Sequence, residues 1–330
     1  MRKLASIRKI LDINPIPNAD NIEVVTIDGW KVVTKKGEFH IGDLCVYCEI
    51  DSFLPIKPEF EFLRNSSYKK LNDGTEGFRL KTIKLKGQIS QGLCLPTSIL
   101  SSVYSEGDDV TDLLNIKLFE PELPAQLSGR ILGLFPSFIP KTDEERIQNY
   151  KKYLKKFTKF YITEKIDGTS LTIYHRDGVL GVCSRNLELD LTYKNNSYIN
   201  TCTRYDLFNK LKHYSKNIAL QGELVGPGIQ KNRYKLNNTE IYFFTAYNID
   251  KGEYFDFETF KTLLKEFNLK SVPILSEEFI YNDQDLLSMA DGNSILNANL
   301  KREGLVFRSV SLPKISFKSI SNKFLLSSEK

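Results

Sequence analysis

Glu164-Lys-Ile-Asp-Gly-Thr-Ser170 is the stretch around which the chain is organised. Lys165 stands two residues before an acid, Asp167, and three before a glycine, Gly168. In that arrangement the lysine amine can attack phosphorus, the acid can hold a ribose hydroxyl, and the glycine lets backbone approach a phosphate. Lysine is a weak nucleophile near neutral pH because its reference pKa is about 10.4, so such a site must stabilise the neutral amine. Burial, a neighbouring cation such as Lys318 and a bound metal ion would each push that pKa down.

Further pieces follow in order. Ser184-Arg185-Asn186 closes the next strand-like run, Gly222-Glu223-Leu224 follows another, and Phe243 to Ile249 is aromatic-rich. Arg302-Glu303-Gly304-Leu305-Val306-Phe307 and Ile315-Ser316-Phe317-Lys318 lie near the C-terminus. Glu223 and Glu303 are carboxylates of the kind that hold ribose hydroxyls or metal-bound waters, since magnesium commonly retains several waters. Either alone also reads as a surface acid. Tyr247 reads as a ring stacked on adenine or as a core aromatic, and Lys318 as an α-phosphate ligand or a solvated lysine. Together the pieces resemble the six ordered motifs of the covalent nucleotidyltransferases, the polynucleotide ligases and messenger-RNA capping enzymes.

At 330 residues there is room for two domains, and 41% hydrophobic residues with 12% aromatics support real cores rather than disorder. No apolar run is long enough to span a bilayer and the N-terminus has no signal core, which predicts a soluble, intracellular, cytoplasmic protein. The five cysteines are scattered and odd in number, which fits reduced thiols. Cys45-Val-Tyr-Cys48 has zinc-like spacing but lacks a second pair, so core cysteines are expected. The net charge of +5 is uneven: residues 1–120 hold 16 Lys/Arg against 17 Asp/Glu, so the excess lies downstream, where a polyanion is allowed.

The first hundred residues are strand-rich. Asn21 to Ile27, Asp28-Gly29 and Trp30 to Thr34 form a hairpin pattern. Asp43 to Ile50, Phe78 to Leu85 and Gly92 to Leu95 supply further strands, about five in all, as a small OB-fold barrel requires. Arg79, Lys81, Lys84 and Lys86 with Gln88, Ser90 and Gln91 read as a track for a phosphate backbone or as a solvated face. Residues 105–141 carry acids and then four prolines. The expected division is an OB-fold domain over 1–115, a linker over 116–141 and a nucleotidyltransferase domain over 142–330.

Thr142 and Glu145 have capping-box spacing, which predicts a helix from Thr142 to about Leu154, with Lys151, Lys152, Lys155, Lys156 and Lys159 making its far half basic. Leu207, Phe208 and Leu211 mark another helix face, and Phe260, Leu263, Leu264 and Phe267 a third. The fold class is therefore α+β: an N-terminal β-barrel followed by an antiparallel-sheet domain whose motifs line a cleft.

The sequence is similar to the ATP-dependent RNA ligases of the Deinococcus/Naegleria type, which place an OB domain before the nucleotidyltransferase domain. Most DNA ligases and capping enzymes reverse that order, and only 12 residues follow Lys318. The resemblance rests also on Pro15-Ile-Pro-Asn-Ala-Asp20, Asp28-Gly-Trp30, Glu49-Ile-Asp51, Gln88-Ile-Ser-Gln-Gly92 and Pro140-Lys-Thr-Asp-Glu-Glu-Arg146-Ile-Gln-Asn149. It implies Lys165 as nucleophile, and Arg146, Glu164, Asp167, Gly168, Arg185, Glu223, Tyr247, Glu303 and Lys318 as the ATP/AMP site. Asn196, Glu223 and Glu303 would surround metal-bound water, the metal being Mg2+ or Mn2+. The implied reaction joins a 5′-phosphate to a 3′-OH of RNA, in nicks of a duplex, through a lysyl-AMP and as a monomer.

Two positions depart from the pattern. Related ligases often show Lys-x-Lys in the last motif, where this chain has Ser316-Phe-Lys318, leaving Lys314 as an alternative source of the first lysine. Where relatives have Phe-Asp-Ile, this chain has Tyr247-Asn248-Ile249. The rival readings are a DNA ligase or capping enzyme, which shares the first step, and an inactive RNA-binding module that keeps only the fold.

Overall fold

Period-two burial dictates the N-terminal architecture. In Trp30–Lys35 the pattern alternates strictly, with Trp30, Val32 and Thr34 inside. The computed structural model describes residues 3–119, 131–150, 154, 159–193, 196–214 and 216–328. The chain divides into two compact units, Met1–Pro121 with Leu325–Lys330, and Glu122–Phe324.

In the first unit, Leu44–Cys48 is the central strand between Ala5–Lys9 and Leu93–Pro96, all antiparallel. Asp12–Pro15, Ile22–Ile27 and Trp30–Lys35 form a meander, and Asp28 takes the left-handed conformation (φ +50°) that its tight turn demands. Trp30 and Tyr47, both buried, pack with their rings tilted by 40° and their centroids 5.9 Å apart. The run Phe78 to Leu85 is two strands, Glu76–Arg79 and Thr82–Leu85, rather than one. It breaks because Leu80 turns to bond the Ser52 carbonyl and the Asp51 N–H. Lys86 and Gly87, both left-handed, then fold a hairpin onto Gln88–Gln91, a strand that apolar patterning did not reveal. Lys84 and Lys86 are exposed on this hairpin, whereas the Arg79 guanidinium lies 4.2 Å over the Phe119 ring. All five cysteines are free and buried, and burial pushes the Cys48 thiol up to about 12.

Among the described residues, the second unit has two sheets. Seven antiparallel strands run in the order Ile131–Leu134, Leu187–Leu189, Val179–Cys183, Thr169–Arg176, Ile218–Val225, Glu240–Asn248 and Glu253–Tyr254. One face carries Leu171, Ile173, Val182, Leu220 and Phe243, against which the helices Ser197–Arg204, Leu207–His213 and Phe257–Glu266 supply Cys202, Leu211, Phe260 and Leu264. The other sheet runs Glu145–Arg146, Ser316–Ile320, Gly304–Ser309, Lys159–Lys165 and Ile274–Ile280. It is mixed rather than purely antiparallel, because Glu145–Arg146 pairs parallel to Ser316–Ile320.

The helix expected from Thr142 starts at Ile147 and is described to Tyr150. Tertiary ion pairs override the capping box: Glu144 is drawn to Arg308 and Asp143 to Lys318. The basic half of that expected helix, apart from Lys159, lies outside the described residues. The helix Ser197–Arg204 was not expected: its buried side is Tyr198, Ile199, Thr201 and Cys202, a stripe of little more than one turn that is too short to stand out as a period. No helix among the described residues is long and apolar enough to cross a membrane.

Candidate active site

Lys165 ends the strand Lys159–Lys165, and Ile166-Asp167-Gly168 carries the chain into the middle strand of the other sheet, Thr169–Arg176. Phe160 and Ile162 point into an apolar cluster with Leu305, Phe307 and Phe317, so alternation puts Tyr161, Thr163 and Lys165 on the opposite face. Strand register extends that face. Val306 stands opposite Thr163, Lys318 opposite Val306, and Arg146 opposite Lys318. Lys165, Lys318 and Arg146 therefore share one surface. Gly168 is needed for close approach: a Cβ there would sit 2.5 Å from the Leu224 carbonyl oxygen.

Acids surround the lysine. Lys165 Nζ is 2.8 Å from Glu303 Oε1, with the side chains 27% and 15% exposed. Burial disfavours the ammonium, but Glu303, Glu223 and Asp167 together outweigh it and hold the Lys165 pKa above its ordinary value. The expectation that the site lowers this pKa is thus reversed in the ligand-free protein. Lys318 does not act as the depressing cation, because its Nζ lies 3.0 Å from Asp143 Oδ1. The acids respond in turn. Burial and the neighbouring carboxylates raise Glu223 to about 8 and Asp167 to about 6, against the opposing pull of Lys165. Glu303 Oε2 is buried without a hydrogen-bond partner.

Arg233 and Tyr234 complete this end and had no signal in the sequence. Arg233 Nη1 is 3.8 Å from Asp167 Oδ2, and the Tyr234 hydroxyl accepts the Asp167 N–H at 2.8 Å. They arrive from a segment in which Gln230, Lys231 and Asn232 are all left-handed, a conformation that no periodicity announces.

The cationic end is self-paired. Asp143 bridges Lys318 and Arg185, the latter at 3.5 Å. Glu144 accepts from Arg308 at 2.6 Å and from the Ser316 hydroxyl, with the Arg308 side chain only 4% exposed. A cavity of about 220 Å³ opens here, lined among others by Lys141, Asp143, Glu144, Arg308, Lys314 and Ser316. Lys314 thus lines the same cavity as Ser316.

The remaining candidates are dispersed. Glu164 lies on the face opposite Lys165, 1% exposed, where Oε2 accepts the Ile295 N–H at 2.8 Å and Oε1 has no partner. Asn196 caps the helix Ser197–Arg204, its Oδ1 accepting the Tyr198 N–H at 2.9 Å and its buried Nδ2 unpartnered. The Tyr198 hydroxyl in turn meets the Thr169 hydroxyl at 2.8 Å. Tyr247 pairs with Ala219 and packs beside Ile139, Tyr174 and Cys183, its ring edge-on to Tyr254 at 5.2 Å. No group of three or more His, Cys, Asp or Glu among the described residues has the spacing of a ready metal site.

Comparison with known proteins accords with this geometry. An OB-fold domain family model matches residues 4–97, and an RNA ligase family model matches residues 158–321. Among solved structures, Naegleria gruberi RNA ligase with PPi is 42% identical, with TM-score 0.93 and 98% of each chain covered. A mutant of that ligase with ATP and Mn is also 42% identical, with TM-score 0.92 and the same coverage of both chains. A third structure, a mutant with AMP and Mn, matches at 42% identity and TM-score 0.93, again over 98% of each chain. No curated protein sequence shows significant similarity to the chain. Identity of 42% along nearly the whole of both chains, with the matching family model, settles the kinship: the chain belongs to the RNA ligase family.

Proposed function

We propose that this RNA ligase is ATP-dependent and seals 3′-OH/5′-phosphate nicks in duplex RNA through a lysyl-AMP on Lys165, acting as a monomer inside the cell. The observation that carries the reading is the placement of Lys165, 2.8 Å from Glu303 and on one sheet face with Lys318 and Arg146. Lys165 Nζ, once deprotonated, attacks the α-phosphorus; an N–P bond forms and the P–O bond to pyrophosphate breaks. The AMP then passes to an RNA 5′-phosphate, regenerating the amine. The 3′-hydroxyl attacks that phosphate, forms the phosphodiester and releases AMP.

Each residue follows from its place. Lys318, Arg146 and Arg185 hold phosphate oxygens, Asp167 a ribose hydroxyl, and Tyr247 stacks on the adenine. Gly168 lets the backbone reach the nucleotide, and Glu164 shapes the site from behind the sheet through its backbone. The residues also fit a divalent ion. Asp167, Glu223 and Glu303 outnumber Lys165 and Arg233, and with all three acids ionised, removing the lysine proton leaves two uncompensated negative charges. Glu223 and Glu303, the latter with a buried free oxygen, would hold Mg2+ or Mn2+ through water, with Asn196 N–H groups at the rim. The ion would supply charge neutralisation that favours the free amine. ATP and Mn in the Naegleria structures support this choice.

Purified protein incubated with ATP and magnesium should gain the mass of one AMP, and adding a nicked RNA duplex should consume that adduct as the strand is sealed. An adduct with GTP alone would make it a capping-type enzyme. A folded protein with no adduct from either nucleotide would leave an RNA-binding module. Residues 1–115 are assigned to RNA holding, so their deletion should spare adenylation more than sealing.

A further inference from the structure

On the cleft-side face of the seven-stranded sheet, register aligns Cys183, Thr172, Gln221 and Thr245 in one row across four strands. All are nearly buried, Gln221 at 1% exposure. The row lies between two others: Tyr174, Ala219 and Tyr247 on one side, Ser170 and Glu223 on the other. Alternation turns it away from the helix-covered core, where Ile173 and Leu220 point.

Gln221 has half its hydrogen bonding unmet. Its Nε2 donates to the Pro140 carbonyl at 2.9 Å, while its Oε1 is buried with no partner. A carbonyl only accepts, so the bond to Pro140 fixes which end of the amide faces away. What remains is an oriented acceptor. Leaving such an acceptor unsatisfied is costly, and a ligand donor reaching it would be favoured over a ligand acceptor at the same point. The segment that holds the amide packs at one edge of the face, where Phe138 and Ile139 meet Tyr174, Ala219 and Tyr247.

We infer that Gln221 is a specificity-determining residue whose Oε1 accepts from the 6-amino group of the adenine, admitting ATP and rejecting purines with a 6-carbonyl. The assignment rests on the ligase reading above. Adenine stacked on Tyr247, with its sugar toward Glu223, brings its amino edge over the row that lies between them. Guanine or hypoxanthine would set a carbonyl against the Gln221 carbonyl. The amide cannot flip to suit it without surrendering Pro140.

The test is the rate of AMP-type adduct formation from ATP, inosine triphosphate and purine riboside triphosphate, which carries hydrogen in place of the amino group. The wild type should favour ATP over inosine triphosphate by about 10- to 100-fold in kcat/KM, the range of a lost buried hydrogen bond. In Gln221→Met that ratio should fall to within about threefold, chiefly through loss on ATP. An unchanged ratio in a variant that melts like the wild type overturns the assignment. If the variant does not fold, the wild type decides: purine riboside triphosphate reacting as fast as ATP overturns it, and an about tenfold deficit supports it. No adduct from ATP at all overturns the ligase chemistry and this assignment together, whereas an adduct with an unchanged ratio overturns Gln221 alone.

Discussion

The two ends of the site solve opposite electrostatic problems. Around Lys165, three carboxylates meet one ammonium and one guanidinium, and two of the acids are held above their ordinary pKa. Around Lys318, three cations share two acids: Asp143 serves Lys318 and Arg185, and Glu144 serves Arg308. The first end is short of positive charge and waits for a cation. The second is only partly neutralised from within, and on the proposed reading a phosphate takes over what Asp143 holds.

The largest effect is expected at the first end. Lys165→Ala should abolish both adenylation and nick sealing from ATP, because no other group near Glu303 can form the N–P bond. Sealing by that variant from ATP would overturn the mechanism. Sealing of a chemically pre-adenylated nick should survive in part, since that step does not use the amine as a nucleophile.

At the second end, Lys318→Ala should lower the adenylation rate by about a hundredfold, the usual loss when one donor to a developing oxyanion is removed. Its KM for ATP should move far less. A loss confined to KM would place Lys318 on a phosphate that does not react.

Much of this was legible in the sequence, and the failures share a cause. Lys165, Glu223 and Lys318 sit on strands, and Glu303 immediately before one, whose alternation and spacing can be read locally, and the structure brings Lys165 to Glu303 across 138 positions of chain because Lys165 pairs with Gly304. The hairpin at Asp28 and the helix at Phe260 were equally local. What escaped was decided by distant partners. Thr142 does not start a helix because Asp143 and Glu144 find cations more than 40 residues away. Glu164 looked like part of the nucleotide site by adjacency, yet a period of two places it behind the sheet. Arg233 and Tyr234 come from irregular backbone, and the upward pKa of Lys165 depends on three acids from separate strands and loops.

The charge shortage at the first end has a signature in stability. Asp167 and Glu223 have folded pKa values of about 6 and about 8, above those of unfolded carboxyls. A raised folded pKa gives stability that is complete below the unfolded value of about 4 and is lost as pH climbs through the folded values. Between about pH 5 and pH 8.5, therefore, the two acids progressively destabilise the ligand-free protein. A divalent cation binds the ionised form, so magnesium should raise Tm more at about pH 8.5 than at about pH 6. Thermal melts with magnesium or EDTA at each pH would show it. Equal shifts would mean that the ion does not bind among these acids.

The smallest effect is the most informative about the contrast. Asp143 is 37% exposed and pairs with Lys318 and Arg185, the cations assigned above to the ATP phosphates. If it only fills the place of a phosphate, Asp143→Asn should lower the KM for ATP by no more than about fivefold, the scale of a partly exposed ion pair, with kcat nearly unchanged. If it instead orients Lys318 for the reacting phosphate, the same change should leave KM alone and reduce kcat. Adenylation kinetics at low and moderate salt separate the two, because the competing pair weakens as salt screens it whereas a positioning contact shows in kcat at either salt. A fall in KM that shrinks with added salt would show that the second end is held closed by its own acid; a fall in kcat alone would make Asp143 part of the machinery and erase the asymmetry between the two ends.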